Sequence, residues 1–123
     1  MKKLLVALIA VCCWAPACFS APEYTIQAIR YASSPGFPVA ALVMGAPKEE
    51  KIDIAMVVWL IRGGGRNILF DTGFHRESWL KVFPMQEFLR PDQAVATAGV
   101  NPDEITDIVI SHAHWDQDRK SVV

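Results

Sequence analysis

Cysteine is confined to the first eighteen residues: Cys12, Cys13 and Cys18 are all that a chain of 123 residues contains. They fall in a segment with the marks of a leader. Met1-Lys2-Lys3 is a positive head, Leu4 to Trp14 is an unbroken apolar run, and small residues follow at Ala15, Ala17, Ser20 and Ala21. A run of this length is too short for the roughly 20 apolar residues of a permanent span, so residues 1–20 read as a secretory signal peptide. The expected location is therefore periplasmic or secreted. Cleavage after Ala17 and after Ser20 both suit the pattern; a chain starting at Ala21 has no thiol and no disulfide despite being exported. Cleavage before Cys18 would leave one thiol able to carry a lipid, but Ala15-Pro16 matches a lipoprotein signal poorly.

Other absences narrow the class further. Without the leader, ten Lys or Arg stand against thirteen Asp or Glu, a net charge of about −3, and no basic run occurs, which argues against nucleic acid as a partner. No later stretch reaches the eighteen or more apolar residues of a membrane span. Gly63-Gly64-Gly65 is not followed by Gly-Lys-Ser/Thr or a helix start, so it reads as a hairpin turn rather than a phosphate cradle. The whole chain is 52% hydrophobic and 20% charged, a globular balance, and residues 21–117 read as one domain.

Along that domain, Tyr24 to Tyr31 reads as a strand broken by Ser33-Ser34-Pro35-Gly36, and Val39 to Met44 as a second strand. Pro47 to Lys51 is a charged connection. Val57-Val58-Trp59-Leu60-Ile61 is apolar without interruption, as a strand covered on both faces would be, and Asn67 to Phe70 returns from the glycine turn. Phe74 to Arg90 reads as loop with short helical pieces. Pro91 opens a helix through Ala98 that Gly99 stops, and Asn101-Pro102-Asp103-Glu104 carries the cap, proline and glutamate of another short helical turn. Ile108-Val109-Ile110 is a final apolar strand.

His112, His114 and Asp116 follow that strand at spacings of two. In an extended or turning backbone such residues project to one side, and imidazole with carboxylate suits zinc or a similar divalent ion. The plain alternative is a polar loop that happens to hold histidines. Some forty residues earlier, Ile68-Leu69-Phe70 ends in Asp71-Thr72-Gly73. The two motifs together resemble the metallo-β-lactamase-fold hydrolases, whose first motif reads Asp-x-Gly and whose second reads His-x-His-x-Asp-His; the likeness runs from Tyr24 to Asp116.

The resemblance implies an α/β (α+β) fold: the N-terminal half of an αββα four-layer sandwich. It implies Zn(2+), two ions in the full-length protein, with His112 and His114 on the first and Asp116 on the second. Asp71 would give structural support beneath the site, and a metal-activated water would be the nucleophile. The residue after Asp116 should be a histidine on the second ion; here it is Gln117, a poorer ligand. His75 follows the Asp-Thr-Gly turn and reads as an exposed loop residue. Tyr24 to Arg30, Leu60 to Gly65 and Ser111 to Asp116 look most like the N-acyl homoserine lactonase branch. The implied activity is opening of a lactone or related ester in a small-molecule substrate. A metallo-β-lactamase is the alternative enzyme, and an inactive metal-free fragment or binding module the alternative of another class.

The six closing residues, Asp118 to Val123, match the in-frame translation of a widely used sequencing adapter that then reaches a stop codon. The adapter's first base would also complete the preceding codon as glutamine where histidine was encoded. Residues 118–123 are accordingly expected to be a non-native read-through tail. The chain is expected to be the first half of a longer enzyme, inactive by itself; a genuine short protein is the alternative.

Overall fold

The computed structural model describes residues 20–117, so the leader expected at residues 1–20, apart from Ser20, and the tail expected at residues 118–123 lie outside the described residues. Four strands form one sheet in the order β1 (Tyr24–Pro38), β2 (Lys51–Gly63), β3 (Arg66–Phe70) and β4 (Asp107–Val109). Between β3 and β4 the chain makes two short helices, α1 (Glu77–Val82) and α2 (Pro91–Thr97), and a 3-10 turn at Pro102–Glu104.

The tight hairpin is built where the glycines stand. Gly63 pairs with Arg66, so Gly64 and Gly65 alone turn the chain, at φ of 56° and 74°. Two successive left-handed residues match the twist of the flanking strands, and glycine adopts them without steric cost. The capping signal also acts as expected. Asn101 Oδ1 accepts from the Asp103 N–H (3.1 Å), and Glu104 Oε2 accepts from the Asn101 N–H (3.0 Å). Gly99 stops α2 at φ 80°.

Two expectations are corrected. The strand β1 does not end at Ser33 but runs on to Pro38, because register shifts between Arg30 and Ala32 and between Ser34 and Phe37 step the pairing over Tyr31 and over Pro35-Gly36. Proline and glycine are tolerated at such bulges, where the ladder needs no N–H from them. The backbone N–H of Gly36 is met instead by Asp53 Oδ1 at 2.8 Å. Val39 to Met44 is not a strand. Pro38 pairs with Lys51, so the residues between them must reverse the chain, and Val39–Ala41 forms a 3-10 turn with Leu42, Val43 and Met44 left exposed.

The core lies between one face of the sheet and the helical layer. Ile29 and Val58 are cross-strand partners, as are Leu60 and Leu69, and Phe74, Ala94, Val95 and Val100 close over them. The opposite face, with Ile26, Trp59 and Val109, is exposed among the described residues, so the apolar run of β2 is covered on one side only. A sheet with helices on one face is two layers of the expected sandwich and is consistent with its N-terminal part. No described helix is long and apolar enough to cross a membrane.

Candidate metal centre

The pairing of β3 with β4 is parallel, with Phe70 opposite Val109, so both strands deliver their C-terminal ends to one edge. That is where binding residues collect in parallel α/β sheets. Asp71, the first residue past β3, donates its N–H to the Val109 carbonyl at 2.8 Å and sits at φ 63°. A non-glycine residue in the left-handed region is held there by its surroundings, and here the bonds of the side chain hold it. Asp71 Oδ1 accepts from the Ser111 backbone N–H at 2.8 Å, and Oδ2 lies 2.9 Å from Ser111 Oγ. Two motifs forty residues apart are thus joined by one carboxylate.

The proton positions follow from that carboxylate. An ionised aspartate only accepts, so the single hydroxyl proton of Ser111 goes to Asp71. Ser111 Oγ also lies 2.9 Å from His112 Nδ1. With its proton committed, the oxygen must accept there, which fixes His112 as the Nδ1–H tautomer and leaves a lone pair on Nε2. Ser111 is a candidate site residue that ligand spacing alone does not single out; its one signal is its place directly before the first histidine.

His112 Nε2 lies 3.7 Å and His114 Nδ1 3.5 Å from Asp116 Oδ1, and the three ligand atoms all fall within 4.8 Å of one another. Zinc bonds of about 2.0–2.2 Å at tetrahedral angles put neighbouring ligand atoms about 3.3–3.6 Å apart, so the separations to the carboxylate fit a single divalent ion with minor adjustment. Asp116 Oδ1 is buried and has no hydrogen-bond partner. A buried carboxylate oxygen without a donor is costly, and a cation between it and the two imidazoles would remove that cost. The three predicted ligands are therefore brought together in one cluster.

Gln117 takes a different part. Its Oε1 accepts from the Thr72 N–H at 3.0 Å, tying the ligand loop to the Asp-Thr-Gly turn. Trp115, between the two last ligands, anchors the same loop from below: its ring stacks on Phe83 at 4.4 Å and meets Phe74 at 5.0 Å and Trp79 at 5.3 Å. Gly73 permits the approach of the turn to the core. It has φ 63°, and a Cβ there would lie 2.8 Å from Pro91 and 3.0 Å from the Tyr31 ring. His75 lies on the loop after the turn, outside the three-residue cluster.

Tyr31 lies under the site. Burial pushes its hydroxyl pKa far above the ordinary value, with the charge of Asp116 and then of Asp71 adding, while a bond to the Phe74 backbone offsets part. The stability tied to neutral Tyr31 is intact below the ordinary pKa of about 10 and is lost progressively as pH rises above it. Tyr31→Phe is thus expected to unfold less steeply with rising pH in the alkaline range, checked by urea midpoints from pH 9 upward; parallel curves would count against the assignment. Ser111→Ala is expected to weaken zinc binding about 10–100-fold, the usual cost of losing a group that orients a ligand. Competition with a chromophoric chelator measures this, and unchanged affinity would show that the serine does not orient His112.

The model of the metallo-beta-lactamase superfamily matches residues 56–117, half of the chain. No curated protein matches. Among solved structures, AidC, a dizinc quorum-quenching lactonase solved with an N-hexanoyl-L-homoserine product, superposes with a TM-score of 0.59 at 20% identity, over 80% of this chain and 36% of that one. The hydrolase AbOPH, of the beta lactamase superfamily, gives 0.57 at 17% identity over 80% and 36%. A Staphylococcus aureus protein described as a probable metal-dependent hydrolase gives 0.55 at 16% identity over 80% and 41%. The chain thus spans about two fifths or less of the length of these relatives. Since the family match takes in both the Asp71 turn and the loop from His112 to Gln117, and the fold is shared over 80% of the residues, the chain belongs to the metallo-beta-lactamase superfamily.

Proposed function

We propose that this chain is the N-terminal part of an exported zinc hydrolase that opens a lactone or related ester. The observation that carries the reading is the chain of contacts from Asp71 through Ser111 to His112. It fixes a lone pair on His112 Nε2 toward the same buried Asp116 oxygen that His114 Nδ1 faces. A cluster serving only as a polar loop would have no need of a fixed tautomer.

In this reading His112, His114 and Asp116 hold the ion, and three protein ligands leave a fourth position open to substrate or water. A divalent ion held there supplies an acidified water and polarises the carbonyl under attack. Asp71 and Ser111 keep the first imidazole in its ligating form, and Trp115 keeps the loop from swinging away. The second ion expected from the family pattern would need a nitrogen ligand at position 117. In the chain as given, the Gln117 amide is engaged with Thr72 and supplies no such ligand. The reading of a longer protein is supported by the share of each relative that the chain spans. Export rests on the leader at residues 1–20.

The test is turnover by the zinc-loaded product of the complete gene, sequenced through from the codon of Asp116. Opening of N-acyl homoserine lactones that is lost on chelation and restored by zinc is expected. Turnover of β-lactams in place of lactones would favour the β-lactamase reading. Zinc-loaded protein inert toward both would favour a binding module.

A further inference from the structure

From Phe37 to Pro47 eleven successive residues carry no charged, hydroxyl or amide side chain, and they close the connection between β1 and β2. A stretch of that composition belongs in a core. Here Leu42 is 60%, Val43 54% and Met44 100% exposed, and Ile52, which pairs with Phe37 at the base of the loop, is 50% exposed. A contiguous apolar patch left in water marks a surface that is covered in use. We propose that this loop inserts into the interfacial layer of a lipid bilayer, so that the protein docks peripherally on a membrane surface.

The backbone of the loop favours lipid over a protein partner. The Val39 N–H donates to the Glu50 carbonyl at 3.0 Å, the Leu42 and Val43 N–H groups both donate to the Val39 carbonyl at 2.9 and 2.8 Å, and the Ala46 N–H donates to the Val43 carbonyl at 3.2 Å. Pro38 and Pro47 have no N–H to satisfy. A loop that bonds within itself can leave bulk water without stranding those donors. Hydrocarbon demands this of any segment that enters it, whereas a protein partner brings donors and acceptors of its own.

Charge and size point the same way. Lys48, Glu49, Glu50 and Lys51 follow the apolar stretch directly, all of them exposed, and their charges cancel. They stand at the base of the loop, where Pro38 pairs with Lys51. An apolar tip over a charged, neutral base matches the layering of a bilayer surface, in which interfacial segments bury their apolar side about 5–10 Å deep and lysine stems lie along the boundary with the ammonium in the headgroups. Four exposed apolar side chains on one loop fall well short of the about 800 Å² and 20–30 residues that each partner commits to a stable protein–protein interface.

Nothing in this docking depends on what the metal cluster hydrolyses, so vesicle binding and turnover are read separately. The zinc-loaded product of the complete gene is sedimented with phosphatidylcholine vesicles, with and without phosphatidylglycerol, at low and high salt. Binding to the zwitterionic vesicles is expected, and it should change by less than about threefold with anionic lipid or salt, because the four charges behind the tip cancel. Val43→Asp and Met44→Asp are each expected to weaken binding by about tenfold or more, the effect of withdrawing one apolar side chain of this size, with zinc content and melting temperature unchanged. Met44→Leu should bind as the native protein does. Absence of vesicle binding overturns the proposal, as does binding that needs anionic lipid and is lost at high salt. A native dimer that either aspartate variant turns into a monomer overturns it in favour of a second copy of the chain. A large drop in the melting temperature of both aspartate variants overturns it by placing the loop beneath the rest of the protein.

Discussion

His114→Ala is expected to reduce hydrolysis by the zinc-loaded protein to background and to remove most of its bound zinc, while the metal-free protein melts within a few degrees of the native one. The split follows from where the side chain is. His114 is 62% exposed and supports no part of the core, so its removal takes away little packing. A tetrahedral site that keeps only His112 and Asp116 falls below the three protein ligands that catalytic zinc sites use. The measurement pairs metal analysis after gel filtration with the initial rate and the melting temperature of the apo form. Full activity with a full complement of zinc would show that His114 is not a ligand. A collapse of the apo melting temperature would show instead that it is structural.

Asp71→Ala should give the opposite pattern, a loss of stability and of metal affinity together. The substitution removes both acceptors of Ser111 and leaves a residue with no side-chain bond at φ 63°. Hydrogen bonds to a charged acceptor contribute about 1.5–3 kcal/mol, and the left-handed conformation is unfavourable for alanine. A destabilisation of about 2–3 kcal/mol is expected in denaturant unfolding of the apo protein. With Ser111 no longer committed to donating to Asp71, the tautomer of His112 is released as well, so zinc affinity should fall. Asp71→Asn is the control: asparagine tolerates the left-handed region and can still accept from the Ser111 N–H, so it should recover much of the stability. Equal stability of the native, alanine and asparagine forms would remove Asp71 from its bracing role.

How much of this was readable in the sequence depends on how local the determining contacts are. The hairpin was legible because Gly64 and Gly65 carry the turn within two residues, and the 3-10 turn because Asn101 and Glu104 cap each other across one turn. The continuation of β1 through Pro35-Gly36 was not. It depends on β2, thirteen or more residues on, accepting a bulge, and on Gln86 exchanging backbone hydrogen bonds of 2.9 and 2.7 Å with Ser33. The strand expected at Val39 to Met44 had the right composition, but the pairing of Pro38 with Lys51 left it no partner.

The site divides in the same way. The clustering of His112, His114 and Asp116 was legible from spacing, since one loop supplies all three. The roles of Ser111, Trp115 and Tyr31 were not. Each arises from parts of the chain brought together only by the parallel pairing of β3 with β4 and the aromatic packing beneath it. Gln117 shows the limit of reasoning by type alone: an amide is a poor zinc ligand, but nothing in its identity indicates that it bonds to the Thr72 backbone.

That arrangement makes Gln117→His informative about the number of ions, but the account stands or falls on the first one. Anomalous diffraction at the zinc edge from crystals of the zinc-loaded protein tests it most directly. The account predicts a peak about 2.0–2.2 Å from His112 Nε2, His114 Nδ1 and Asp116 Oδ1 together. A peak ligated by other residues, or no peak within reach of these three atoms, would contradict it.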